Sequence, residues 1–370
     1  MKKRVCIIYN FAQQYREGIF RLLDKEFDCD WFFGNNITDI KELDLSILSK
    51  TTKIKNKKFI HYPLTFQTGI IPLLWEKQHN IYLILGDMFC ISTWLLLCLK
   101  KICFPHKRIY LWSHGWYGKE SRFKRLLKKI YFGLADGNFL YGNYAKQLML
   151  REGFPENKLF VIHNSLMYDT QIFLRNSMKR SNLYQEHFKN DYFNIIFIGR
   201  LTAVKKLNLL IDAIVILRQK GCNCNITFIG DGNERQKLQE RVKNQQISNS
   251  VWFYGACYNE VKNAELIYNA DLCVSPGNVG LTAMHTMVFG TPVITHNDFK
   301  WQMPEFEAIK PGITGDFFRA GDVYSLAETI QLWLKNNAHK RDIIRKACYK
   351  EIDTEWNPGF QIEIFKKYMK

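Results

Sequence analysis

The feature that most constrains this chain is a unit that recurs along it. A short apolar run leads into a loop bearing glycine, asparagine or serine, and a segment with helical spacing of apolar residues follows. Continuous apolar runs of strand length are strands buried on both faces, and helices alternating with them require a parallel sheet covered on both sides. In the first half the runs fall at 5–9, 30–33, 82–85, 108–112, 137–140 and 158–162, with helical segments at 16–24, 91–99, 121–132 and 145–152. After Met167 the pattern lapses into polar, charged sequence as far as Tyr192, which reads as a linker. A second set of strands follows at 193–198, 225–229, 251–254, 272–274 and 292–295, and the tail from Ser325 is helical with a break at 353–358.

The fold class expected is therefore α/β: two doubly wound, Rossmann-like domains facing a central cleft, with ligand at the carboxyl ends of the strands. The chain of 370 residues is long enough for two such cores. The expected domains are 1–175, 190–350 and a terminal helix over 351–370 that crosses back to the first domain.

Charge separates the halves. Of the net +17, a balance of +14 falls in residues 1–190, so the first half is the one expected to meet an anionic partner. The ten cysteines form no CxxC pair and several lie in apolar runs, which suits reduced thiols in the cytoplasm. The basic, apolar start MKKRVCIIYNF has too short an apolar run for a secretory signal, and the apolar stretch 81–99 is interrupted by Gly86-Asp87 and Ser92-Thr93, against a membrane span.

The most informative stretch runs from Ala270 to Asp298: a buried strand, a Ser275-Pro276-Gly277-Asn278 loop, a helix opening near Gly280, and a strand behind Gly290. A strand feeding a helix through such a loop leaves N–H groups unpaired at the helix's positive end, which suits a phosphate. An ordinary βα turn reads the same way, so the stretch alone leaves both open. In Gly199-Arg200-Leu201, followed by Lys205, two cations lie where they can converge on one diphosphate, although solvated charge is the commoner meaning of such a pair.

These motifs resemble the GT-B glycosyltransferases of the large retaining family 4. The segment around Gly280, Leu281, Met287, Gly290, Pro292, Val293 and Ile294 matches the family's C-terminal signature in register, and Arg200 with Lys205 matches its diphosphate-binding pair, with Lys206 in place of the final glycine. The signature's two glutamates are missing: their positions hold Gly277 and His285. Phe228 to Gly232 and Val251 to Gly255 resemble two further turns of the family. His114 resembles the family's H-G loop, and His163-Asn164-Ser165 its boundary motif, read as structural.

The resemblance implies a metal-independent hexosyltransferase without a cofactor, moving a sugar from a nucleotide-sugar to a lipid-linked or growing surface-polysaccharide glycan with retention. Arg200, Lys205 and His114 are its expected catalytic residues. Gly199, Gly280, Leu281, Thr282, His285, Asn278 and Tyr258 are expected to bind the donor, with His285 standing for a glutamate or serving as a satisfied buried histidine. Asn278 or the loop Gln302 to Glu305 would hold the sugar in place of the missing carboxylate. The basic helix with Lys124, Arg125, Lys128 and Lys129, interleaved with Phe123, Leu126 and Ile130, is expected to meet an anionic membrane surface. This places the protein at the inner face of the plasma membrane; no nucleic-acid module is legible. A catalytically silent scaffold in a glycan-assembly complex, or a same-fold epimerase, are the alternative readings.

Overall fold

The computed structural model describes residues 2–36, 40–59 and 63–369; positions 1, 37–39, 60–62 and 370, which fall inside the expected domain ranges, lie outside the described residues. The chain divides into two units, Met1–Met167 with Asn357–Lys370, and Tyr168–Trp356.

The first unit contains β1 (Arg4–Tyr9), α1 (Glu17–Glu26), β2 (Asp28–Phe33), β3 (Thr51–Lys53), a hairpin of β4 (Asn56–Lys58) and β5 (Thr65–Gln67), β6 (Ile81–Leu85), α2 (Ile91–Cys103), β7 (Arg108–Ser113), α3 (Arg122–Leu134), β8 (Gly137–Leu140), α4 (Asn143–Arg151) and β9 (Leu159–Val161). Seven of these strands form one parallel sheet in the order β3-β2-β1-β6-β7-β8-β9. Central β1 is buried from Val5 to Tyr9 because helices cover both faces, which is why its sequence is continuously apolar. One face packs Ile7, Tyr9, Phe20, Trp31 and Trp112, and the other Ile8, Ile84, Leu97, Leu111 and Tyr131.

The second unit opens with α5 (Tyr168–Ser177) and α6 (Leu183–Phe188), in the segment expected to be a linker. The polar sequence hides a few anchors: the buried Tyr184 donates its hydroxyl to the Leu266 carbonyl at 2.7 Å, and Arg175 pairs with Asp353 at 3.0 Å. Then come β10 (Phe193–Ile198), α7 (Leu207–Gln219), β11 (Cys224–Ile229), α8 (Arg235–Asn244), β12 (Val251–Gly255), α9 (Glu260–Asn269), β13 (Leu272–Ser275), α10 (Leu281–Met287), β14 (Val293–His296), β15 (Gly315–Phe318), α11 (Val323–Asn337) and α12 (Arg341–Glu355). Its parallel sheet has the order β12-β11-β10-β13-β14-β15. The last helix, α13 (Pro358–Tyr368), belongs to the first unit and packs on α1, with Phe365 against Trp112 and Phe139.

In each sheet, strand order reverses beside the first strand, between β1 and β6 and between β10 and β13. In an open parallel sheet such a point, at the carboxyl ends of the strands, is where ligands bind.

Candidate functional site

At the reversal point of the second unit the loops after β10 and β13 meet. Lys205 sits in the short turn after β10, and its Nζ donates to the Asn278 carbonyl at 2.7 Å and to Asn278 Oδ1 at 2.9 Å, with the Val279 carbonyl at 3.3 Å. Two motifs 73 residues apart are thereby brought to one place. Burial pushes the Lys205 ammonium down to about 8 against the pull of the Glu305 carboxylate, and the Arg200 charge adds to the depression. Arg200 itself is exposed.

The loop is held from behind. Gln302, buried, accepts from the Val279 N–H at 2.8 Å and donates to Thr295 Oγ1 at 2.8 Å and the His296 carbonyl at 3.0 Å. The Thr295 hydroxyl lies 2.8 Å from the Ser275 carbonyl and 3.1 Å from that of Gly277. The Gln302 amide is thus committed to loop shape, which removes it as a sugar ligand. Thr282 donates its hydroxyl to the Ile198 carbonyl at 2.8 Å, fastening the start of α10 to the end of β10 beside Gly199.

Two backbone positions fix this geometry. A Cβ at Gly277 would lie 2.0 Å from the Val204 carbonyl oxygen, and the Gly277 N–H donates to the Lys205 carbonyl at 2.8 Å. The position that holds a glutamate in the resembled signature is therefore closed to any side chain by the backbone that carries Lys205. Gly280 has φ 54° and ψ −149°, a conformation essentially reserved for glycine, and it turns the chain into α10. Lys206, where the resembled motif has glycine, occupies the left-handed region with φ 49° and ψ 39°.

His285, inside α10, has its Nε2 2.9 Å from Glu260 Oε1, which also accepts from Gln171 Nε2 at 2.9 Å. Burial alone would raise the Glu260 carboxyl, but His285, Gln171 and Asn263 hold it below the usual carboxylate range. A carboxylate thus stands beside the histidine that replaces one, supplied by another helix. Sequence reading missed Glu260; its place in the first turn of α9, just after the loop that carries Tyr258, was the available signal. Tyr258, on that loop, is 91% exposed.

The first unit has its own cavity, about 430 Å³, at its reversal point. It is lined from the ends of β1, β6 and β7 by Tyr9, Asn10, Gln13, Arg16, Asp87 and His114, and from α3 by Lys124 and Lys128, among others. Burial, with the charges of Arg16 and Lys128 adding, pushes His114 down to about 4, so its imidazole is neutral at pH 7. Burial also raises the Asp87 carboxyl.

Lys128 departs from the membrane role expected of it. It is buried, its Nζ donating to the Gly115 carbonyl at 2.7 Å and pairing with Glu120 at 2.6 Å, because it lies on the same face of α3 as the buried Tyr131 and Phe132. Lys124, Arg125 and Lys129 are exposed, with Arg125 paired to Glu152 at 2.7 Å. The opposite face of α3 presents Phe123, Leu126 and Ile130, 72%, 57% and 47% exposed, and neighbouring α2 presents Leu95 and Ile102. Among the described residues no helix is long and apolar enough to cross a membrane.

Comparison with known proteins bears on the second unit most directly. Residues 179–350 match the family model described as "Glycosyl transferases group 1". The putative glycosyltransferase EpsD of Bacillus subtilis is 26% identical over 174 residues, 46% of this chain and 42% of the length of EpsD. Among solved structures, the apo form of the lipopolysaccharide outer core galactosyltransferase WaaB superimposes with a TM-score of 0.70 at 17% identity, covering 98% of this chain and 99% of that one. Anabaena HepE in complex with UDP gives 0.71 at 15% identity, with 98% and 99% covered. Such identities establish the fold: two α/β domains with parallel sheets, as in the GT-B glycosyltransferases.

Proposed function

We propose that this chain, whose second unit carries a glycosyl transferases group 1 domain, is a glycosyltransferase that moves a sugar from a nucleotide-sugar to a glycan acceptor. One observation carries the reading: the Lys205 ammonium, docked on the loop Asn278 to Gly280 at the sheet's reversal point. That is the place in an open parallel sheet where a nucleotide's phosphates are received. A half-buried cation beside the positive end of α10, with Arg200 close enough to be felt electrostatically, offsets the charge that grows on a departing diphosphate. These cations take over the neutralisation that a metal supplies elsewhere, so the reading assigns no metal.

The donor's leaving group is stabilised by Arg200, Lys205 and the first N–H groups of α10. Glu260 and His285 together offer the ribose a carboxylate and an imidazole. The acceptor is a lipid-linked or surface-polysaccharide glycan. Two observations support work at an anionic membrane: the apolar row Phe123, Leu126 and Ile130, and the cations Lys124, Arg125 and Lys129 around it. Retention is carried over from the resembled family, in which attack comes on the face the leaving group vacates.

A thermal-shift screen against UDP, GDP, CMP, ADP and dTDP tests the donor site. A nucleotide at about a hundred times its dissociation constant adds about 2.7 kcal/mol of stability. One nucleotide is expected to raise Tm, and the rise is expected to vanish in Arg200→Ala and Lys205→Ala. A catalytically silent scaffold is the second reading, favoured by the side-chain-free Gly277. It predicts no donor hydrolysis or transfer even with the selected nucleotide's sugar conjugates, and transfer at any measurable rate removes it.

A further inference from the structure

Arg16 follows the loop after β1 and is only 6% exposed, yet it has no carboxylate partner among the described residues. Its Nη2 donates to the Tyr141 hydroxyl at 2.6 Å, while Nε and Nη1 have no hydrogen-bond partner among the described residues. Four rings surround the guanidinium, those of Trp112 at 5.0 Å, Tyr15 at 5.2 Å, Tyr141 at 5.4 Å and Tyr9 at 5.5 Å. Ring faces attract a cation but do not satisfy its N–H groups, and a guanidinium cannot shed its charge. Burying donors that stay unpaired is costly, so a fixed guanidinium on a cavity wall implies an acceptor that arrives from outside.

The rest of the cavity agrees. Gln13 Oε1 and His114 Nδ1 are also buried without a partner, and both residues line the same space. A neutral imidazole and an amide oxygen suit sugar hydroxyls, which donate and accept at once. Among the described charged residues lining the cavity, Arg16, Lys124 and Lys128 face one carboxyl group, Asp87, which burial shifts toward its neutral form; Glu120, outside that lining, is spent on Lys128. A volume of about 430 Å³ accommodates one or two sugar rings.

We propose that this cavity is a binding site for an anionic sugar acceptor, with Arg16 receiving an oxyanion, a uronate carboxylate or a phosphate, and Gln13 and His114 receiving hydroxyls. Naming the ligand an acceptor rests on the glycosyltransferase reading; the anion site itself does not.

The test is binding to the whole protein by ligand-observed NMR titration, with methyl β-glucuronide, methyl β-glucoside and glycerol phosphate as probes. On the unaltered protein a charged probe is expected to bind at least tenfold more tightly than the neutral glucoside. Preference for the glucuronide identifies a carboxylate as the natural group, and preference for glycerol phosphate identifies a phosphate. Equal affinity for the neutral glucoside, or binding of neither charged probe, overturns the proposal without any variant. Arg16→Met is expected to abolish the preference and Arg16→Lys to keep a weakened part of it, each checked by circular dichroism for an intact fold. A folded Arg16→Met that retains the preference also overturns it. The nucleotide-induced Tm rise, read in the same samples, belongs to the other unit. If that rise persists while charged probes fail, the anion site is wrong and the donor site stands; if it is absent while they bind, the reverse holds.

Discussion

At the scale of the residue, Lys205 sets a pH dependence. Its pKa falls from 10.5 in the unfolded chain to about 8 in the fold, chiefly through burial. Between those values the unfolded chain binds the extra proton, so this group makes stability rise with pH from about 8 upward. Diphosphate binding runs the other way, because it needs the ammonium charged. Nucleotide affinity is expected to drop about tenfold between pH 7 and about 9, in proportion to the lost ammonium. Lys205→Met should bind weakly and show no such slope, which isothermal titration at several pH values reads directly. His114 sets a contrasting expectation: with its pKa near 4, activity should show no acidic limb at an ordinary histidine's pKa. What the sequence disclosed at this scale was residue type and order, enough to place Arg200 and Lys205 in the turn after β10, because strand, glycine and cation are contiguous. It did not disclose Arg16, whose meaning depends on Trp112 and Tyr141, brought beside it only by strand pairing. Lys128 was legible in principle, since it lies three and four positions before Tyr131 and Phe132 on one helical stripe.

At the scale of the element, the loop between β13 and α10 explains the missing glutamate at Gly277. Strand, loop and helix were readable from the chain. What side chains do there depends on the turn after β10, which presses its Val204 carbonyl and Lys205 backbone against Gly277. Restoring the family's residue by Gly277→Glu is therefore expected to damage the site and not to improve it. The added Cβ would meet the Val204 oxygen at 2.0 Å, and displacing that turn also displaces Lys205. Overpacking of this kind costs about 1–3 kcal/mol. A lowered Tm with loss of the nucleotide shift is the expected result; a native Tm with tighter nucleotide binding would mean that the loop rearranges freely. Glu260→Gln removes the charge beside His285 without changing volume; it should weaken nucleotide binding and lower Tm modestly, because His285 and Gln171 stabilise the carboxylate in the fold.

At the scale of the whole molecule, charge and apolar exposure make separate contributions that salt can divide. Most of the net positive charge lies in the first 190 residues, and α3 adds the exposed row Phe123, Leu126 and Ile130 to it. Long-range attraction to an anionic bilayer is screened within about 8 Å at physiological ionic strength, whereas buried apolar surface is not weakened by salt. If both operate, sedimentation with phosphatidylglycerol vesicles should be strong at low salt and should fall several-fold, without vanishing, in half-molar sodium chloride. The triple change Phe123→Ser, Leu126→Ser, Ile130→Ser leaves every charge in place, so it should retain low-salt binding in part and lose the salt-resistant remainder. Lys124→Glu with Lys129→Glu should do the opposite, lowering capture at low salt while sparing that remainder. Uncharged phosphatidylcholine vesicles should capture neither variant better than the unaltered protein. Binding that disappears entirely with salt would assign the attraction to charge alone and leave the apolar row of α3 without a bilayer to cover it.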